Sequence, residues 1–566
     1  MTSKYRKLSS TTETLYIKDS EQDRYGTFGE AETPKRKLNG NRLVVVLCIL
    51  FTELCERLTY YSISANLVLF CTSILKIDSG NATTVSLVFS GTSYLVPVFG
   101  GYIADAVAGR YNAILGAGFI YILGLFLLVT SAIGYETWLG VRDDGTHYGF
   151  SGDARMTFFF VGLALISIGT GGIKANVGPF GAEQVKDLGP WAIQSFFNWF
   201  YWFINAGSLV AYAGVAYIQQ EVSFAVGFAV PLCSMVVAQI VFVAVRNRYI
   251  HTEPTGSVLA ESLSVCCQAN CTTFDRARES NGGSHADVTV DGVISVIRVL
   301  PIFLCVIFFW AIYSQMQSTF FLQSERMDIK IGDFQLPAAF LNAFNTIMIL
   351  LFVPLMDRLV YPLLKKINRH PSNLQRIGVG LVLSGLSVFV AGGVEILRKE
   401  HLTGDNQQIL AGETFNASSM SVFWQVPQFA LVGASEVFAS ITGLEFAFSQ
   451  APEVMQGLVM GMFLMTNGLG NYVSIAVIAI VKAATESDPW FPDEMNNGKT
   501  EYLFFLLGGL MFLNFICFIP VAKCYKYKKS QERDTANAAV QRDRLLPTSR
   551  RTPQTTIVSN RDISQL

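Results

Sequence analysis

The chain has 566 residues, 51% of them hydrophobic and only 15% charged, against about 25% charged in soluble proteins. That composition excludes a soluble globular domain and points to a polytopic membrane protein, while a formal net charge of −1 argues against nucleic acid as a partner. Residues 1–42 form a polar N-terminal tail; its first forty residues lack an apolar h-region, so no cleavable signal peptide is expected and the first span directs insertion. Twelve apolar runs long enough to cross a bilayer (about 20 residues) follow, near 43–70, 84–104, 112–133, 156–178, 194–218, 223–245, 294–317, 336–356, 376–396, 420–445, 456–482 and 502–522. The polar segment 246–293 divides them into a six-helix bundle at 43–245 and a second at 294–522, with residues 523–566 as a C-terminal tail. The expected fold is an all-α membrane protein, two six-helix bundles with a site between them at mid-membrane.

Basic residues cluster at alternate helix ends: Lys35, Arg36, Lys37 and Arg42, then Arg110, Arg246 and Arg248, then Arg358, Lys365, Lys366 and Arg369, then Lys523, Lys526, Lys528 and Lys529. The positive-inside rule makes that side, with both termini, cytosolic. The sequons at Asn81 and Asn416 then fall on the non-cytosolic side as glycosylation sites, and the one at Asn270 falls in the cytosolic loop. Cys266, Cys267 and Cys271 lie in that polar loop without paired metal ligands, so neither a metal site nor a disulfide framework is expected.

Within the first span, "ELCERLTYY" (53–61) places Glu53, Glu56 and Arg57 where each charge costs roughly 2.5–3.5 kcal/mol. Positions 53, 56, 57, 60 and 61 fall within about 140° of one helix face. At ~1.5 Å per residue they lie roughly 15–21 Å into the membrane. Glu53 and Arg57, spaced i, i+4, can pair; a structural ion pair needs only one glutamate, and intramembrane ionisable groups are functional by default. "GYIADAVAGR" (101–110) closes the second span and is similar to the loop motif of the major facilitator superfamily, in which Asp105 and Arg110 pair with neighbouring helix ends. In "GTGGIKANVG" (169–178) the glycines allow a neighbouring helix close approach, and Lys174 can reach the carboxylates of the first span. Glu53, Glu56, Arg57 and Lys174 sum to zero charge. "FYWFINAGSL" (200–209) follows in the fifth span, "NTIMILLFVP" (345–354) in the eighth and "EVFASITGLEFAFSQAP" (436–452) in the tenth.

In this order the motifs resemble the proton-coupled oligopeptide transporter family over nearly all of 43–522. The short segment 397–419 departs from the large insert of animal intestinal-type members, and "FWAIYSQMQST" (309–319) resembles the animal peptide/histidine transporter branch, solute carrier family 15 member 4-like. The resemblance implies proton-coupled symport of histidine and di- and tripeptides out of an endosome or lysosome, the plasma membrane being the other location. It implies no enzyme activity, no catalytic residue and no cofactor other than the coupling proton. In vertebrates it also implies cytosolic adaptor proteins as partners, besides substrate and membrane lipid. Glu53, Glu56, Arg57 and Lys174 would couple protons. Arg57 and Lys174 would meet the substrate carboxylate, Asn205, Asn345 and Glu436 its amino end, with Tyr60, Tyr61 and Tyr94 shaping the pocket. Departures from the family pattern are Ala175 where proline is usual, and Ser64 and Ser314 where many peptide carriers pair an arginine with an acid as a gate. All five histidines (147, 251, 285, 370 and 401) lie in polar segments, which leaves proton coupling to carboxylates. Two other readings stand beside this one. The first is a carrier of another small anion such as nitrate, opposed by the retained glutamates; the second is a sensor or scaffold recruiting cytosolic partners through residues 1–40 or 246–293.

Overall fold

A computed structural model describes residues 40–133, 152–252, 256, 258–269, 274–332, 334–366, 371–402, 406–451 and 455–527. The expectations for residues 1–39 and 528–566, Asn270, Cys271, His147 and His370 lie outside the described residues. Each of the twelve apolar runs is mainly helical. The first six are α1 (Gly40–Ala65), α2 (Ser79–Ile103), α3 (Arg110–Ala132), α4 (Gly152–Glu183), α5 (Pro190–Val210) and α6 (Phe224–Ala244). The second six are α7 (Asp287–Tyr313), α8 (Asn342–Leu355), α9 (Asn373–Glu400), α10 (Val426–Glu436), α11 (Gln456–Ala484) and α12 (Thr500–Cys524). Ten of the twelve, with their flanking turns, are long and apolar enough to span a membrane by composition alone. The exceptions are α1, which carries the charged trio, and α5, where Gln194, Asn198 and Asn205 join three Trp and one Tyr in lowering the hydropathy.

The first bundle is held by α3 against α4 and α6, α2 against α4, and α1 against α5 and α6; the second by α9 against α10 and α12, α7 against α11, and α8 against α10. Small residues permit the tightest crossing between bundles, where a Cβ on Gly91 of α2 would stand 3.2 Å from the Gly468 carbonyl of α11, and one on Gly468 would stand 2.7 Å from the Gly91 carbonyl. The face at which α1 begins and α12 ends is called the terminal face below.

Several local departures from the sequence expectation have physical causes. The first span is not one helix: it stops at Ala65 and resumes as Leu67–Ser73. The buried Asn66 between them donates to the Ala216 carbonyl at 3.0 Å and to Gln219 Oε1 at 3.1 Å, partners from the far end of the bundle. The segment expected as a polar loop contains the helix Val258–Gln268, which buries Val265 and carries Cys266 and Cys267. α7 begins at Asp287, seven positions before the apolar run (294 − 287). Two antiparallel hairpins stand on the face opposite the terminal one, β1 (Lys330–Ile331) with β2 (Phe334–Gln335), and β3 (Gln407–Leu410) with β4 (Glu413–Asn416). The second turns through Ala411 (φ 51°) and Gly412 (φ 82°), the positive-φ pair that a tight hairpin of this twist requires.

Candidate functional site

Glu53, Glu56 and Arg57 are buried on α1. The Arg57 guanidinium takes both acids: its Nε lies 3.1 Å from Glu53 Oε1 and its Nη2 pairs with Glu56. Both contacts are ion pairs by distance without hydrogen-bond alignment. Glu53 Oε2 and both Glu56 oxygens make no hydrogen bond to protein. α5 packs directly over this cluster because Gly207 has no side chain; a Cβ there would stand 2.7 Å from the Leu54 carbonyl and 3.1 Å from Arg57 Cβ. The glycines of "GTGGIK" do for α4 what Gly207 does for α5: a Cβ on Gly172 would stand 2.5 Å from Ala117 Cβ of α3, and one on Gly100 of α2 would stand 2.9 Å from the Gly171 carbonyl.

Lys174 sits differently from its sequence expectation. No ion pair within 4 Å joins it to Glu53 or Glu56; its Nζ lies 4.4 Å from the Tyr60 ring centroid and 3.7 Å from that of Tyr94, and makes no hydrogen bond to protein. Aromatic faces attract a cation by about 0.5–2 kcal/mol, which holds the ammonium without consuming the carboxylates that Arg57 already occupies.

A separate cavity of about 90 Å³ lies between the bundles, lined by Tyr61, Asn205, Asn345 and Glu436 together with Tyr201, Ile204, Ser208, Tyr212, Tyr313, Met316, Asn342, Thr346 and Ile349. Asn345 Nδ2 donates to Glu436 Oε2 at 3.2 Å and stands 3.4 Å from the Tyr313 hydroxyl. Asn205 donates to the Tyr201 carbonyl at 2.8 Å. Four of the expected substrate residues are thus brought together, while Arg57, Tyr60, Tyr94 and Lys174 stand behind them. Tyr60 and Tyr61 meet edge to face at 5.3 Å, and Tyr61 packs on Tyr212 at 5.5 Å, so an aromatic wall parts the charge cluster from the cavity. Sequence reading missed the remaining lining residues. Their signal was present as helical spacing, 201, 204, 205, 208 and 212 in and just beyond α5, and 342, 345, 346 and 349 on α8.

Elsewhere, Arg110 pairs with Glu183 at the end of α4 at 3.0 Å and approaches Asp105 at 3.5 Å, as the loop motif predicts. Ser64 and Ser314 hydrogen-bond back to their own helices, at Tyr61 (3.4 Å) and Ala311 (2.8 Å). Asn81 is exposed in the first turn of α2 and Asn416 at the end of β4.

Paired six-helix bundles with a polar cavity between them, Glu436 on its wall and a buried charge cluster behind the tyrosines, are the architecture of a secondary transporter of the major facilitator type. The model of the POT family matches residues 111–496. Protein NRT1/PTR FAMILY 8.1 of Arabidopsis thaliana is 35% identical over 571 residues, covering 90% of this chain and 98% of its own. Solute carrier family 15 member 3 of Rattus norvegicus is 29% identical over 547 residues, covering 88% and 94%. A crystal structure of an auto-inhibited POT family peptide transporter superposes with a TM-score of 0.69 at 26% identity, over 85% of this chain and 97% of that one. The chain belongs to the POT family, whose members are transporters and not enzymes. These relatives do not single out the solute carrier family 15 member 4-like branch.

Proposed function

We propose that the chain is a proton-coupled symporter that carries histidine and di- and tripeptides from an endolysosomal lumen to the cytosol by alternating access. The observation that carries this reading is Glu436, a carboxylate inside the central cavity, bonded to Asn345, with the cations Arg57 and Lys174 in the other bundle. An amino acid or short peptide brings an ammonium at one end and a carboxylate at the other. Glu436 and Asn345, with Asn205 across the cavity, take the amino end. A proton on Glu53 or Glu56 loosens the hold on Arg57, which with Lys174 then receives the carboxylate past Tyr61. Tyr60 and Tyr94 keep Lys174 in reserve until that moment. Ligand sites commonly measure about 300–1,000 Å³, so a peptide enters only as the bundles part and the 90 Å³ cavity widens. Arg42, Arg246, Arg248, Lys523 and Lys526 on the terminal face support a cytosolic terminal side. The tyrosine signal "YRKL" (5–8) and "RLLP" (544–547) fit endosomal sorting.

A nitrate carrier is the second reading, favoured by the NRT1/PTR name of the plant relative; Glu436 in the cavity repels an anion and opposes it. The scaffold reading is separated by the same experiment. Purified protein in vesicles is given radiolabelled histidine, a dipeptide or nitrate across a pH step. Accumulation of the first two that follows the proton gradient supports the proposal. Uptake of nitrate alone, or binding without uptake, sinks it.

A further inference from the structure

A second group of buried charges stands in the second bundle, at the end opposite the terminal face. Its centre is Glu325, the last residue of the helix Thr319–Glu325 that follows α7, with a side chain fully shielded from solvent. It lies eleven positions beyond Ser314 (325 − 314), past a break in the helix at Ser318 (φ −129°, ψ −95°), so it does not replace the missing gate acid. Glu325 Oε2 accepts from Arg326 Nη1 at 3.1 Å, while Oε1 makes no hydrogen bond to protein. Arg326 is better engaged elsewhere, since its Nε and Nη2 both donate to Glu494, at 2.9 and 3.3 Å. Arg398 of α9 is likewise taken by both oxygens of Glu395. The remaining neighbours are neutral. Gln408 of β3 donates to the Glu325 carbonyl at 2.5 Å, Phe415 of β4 lies against the Arg326 guanidinium, and Gln323 donates to Glu395. Three carboxylates thus share two arginines, and among the described residues no third cation pairs with them. One negative charge is left over, and it falls on the acid with an unpartnered oxygen.

We propose that Glu325 is a proton-binding site of the second bundle, separate from Glu53 and Glu56 and independent of what the central cavity carries. An uncompensated buried charge is strongly unfavourable, whereas a proton taken from solvent onto Oε1 neutralises the group and balances the network. The half-exposed Glu494 side chain connects the network to water. With Glu325 protonated, Arg326 belongs to Glu494 and braces the α11–α12 connection. Once Glu325 ionises, it competes for the same guanidinium and loosens that brace. This end of the second bundle is therefore tighter in acid.

The test uses the full chain in lipid bilayers and compares infrared spectra of the unaltered protein and Glu325→Gln across pH. A protonated carboxyl has a carbonyl-stretch band that a carboxylate lacks. In acid the variant is expected to lose the intensity of one such carboxyl, and that difference is expected to fade as pH rises past neutrality. Thermal melting supplies a second readout, because glutamine matches the shape of the neutral acid. Glu325→Gln should keep the melting temperature of the unaltered protein in acid and exceed it in alkaline solution, where only the unaltered protein holds the extra charge. Glu395→Gln, which strips Arg398 of its bidentate partner, should melt lower at every pH. No band difference in acid, or a Glu325→Gln protein as destabilised in acid as Glu395→Gln, failure to fold included, overturns the proposal.

Discussion

Glu436 makes no ion pair among the described residues; its partners are the neutral Asn345 amide and the Tyr313 hydroxyl. A carboxylate so placed finds its counter-charge in whatever enters the cavity. Glu436→Gln should thus weaken binding of substrates with a free α-amino group by tens- to thousands-fold, the equivalent of the about 2–5 kcal/mol lost when one partner of a buried charge pair is removed. Competition binding with free and N-acetylated ligands on correctly localised protein decides this, since equal loss for both refutes the amino-end role. Glu56→Gln should abolish acid-driven accumulation and leave substrate exchange, because glutamine mimics the protonated acid but cannot release the proton. Concentrative uptake with an unchanged pH optimum would remove Glu56 from the coupling step. Both glutamates were legible in the sequence, because a charge inside an apolar run is conspicuous. The tyrosines around the cavity were not, because Tyr201, Tyr212 and Tyr313 at helical spacing look like ordinary packing. The glycines before Lys174 put it within reach of the glutamates, but close helix approach does not say which neighbour the ammonium meets, and it lies over the Tyr60 and Tyr94 rings.

Helices were the easiest elements to read, since hydropathy locates the spans, most plainly the ten outside α1 and α5; their ends depend on polar contacts with distant segments and were harder. The end of the α7 segment shows why. Beyond Tyr313 the chain winds on to the buried Glu325 and Arg326, and the Arg326 guanidinium grips Glu494 of the α11–α12 connection at 2.9 and 3.3 Å. Arg398 of α9 joins the same network through Glu395 (2.7 and 2.9 Å) and Asn496 (2.6 Å). Partial burial raises the Glu494 carboxyl, but the hydrogen bonds and charge of Arg326, with the Asn496 amide and the Arg398 charge, outweigh it and hold the group below its ordinary 4.5. A depressed folded value means the contact stabilises the fold above the unfolded value and is lost only as pH falls through the lower, folded one. Because Glu494 is about half exposed, Glu494→Gln should cost only about 1 kcal/mol. That deficit should stay constant from neutral pH to near 4.5 and close below it. Thermal melts of both proteins across that range test the sign; a deficit that closes well above 4.5 contradicts the depressed carboxyl.

Alternating access requires the two bundles to separate on one face while they meet on the other, and here they meet opposite the terminal face. Thr92 and the Tyr472 hydroxyl bond at 2.8 Å, Gln220 holds the Leu336 carbonyl (3.3 Å) and the Ala338 amide (3.1 Å), Lys76 pairs with Glu413, and Lys482 of α11 lies 3.8 Å from Asp78 at the head of α2. Ser64 and Ser314 bond to their own helices, so the polar contacts across this face come from other residues. The bundle count was legible from the sequence, but this closure was not, because it joins residues such as Asp78 and Lys482 that are hundreds of positions apart and individually unremarkable. Exposed ion pairs are worth about 0–1 kcal/mol each, weak enough for the face to open and strong enough to bias which state dominates. Lys482→Met removes the charge and keeps the stem, and should raise the population open on that face by up to roughly fivefold. Gly80→Ala should act the same way by another route, because Lys482 Nζ occupies the space its Cβ would fill. Spin labels on the exposed ends of α2 and α11 read the outcome as a growing long-distance population; a distribution unchanged in both variants would show that Lys482 does not hold the face closed.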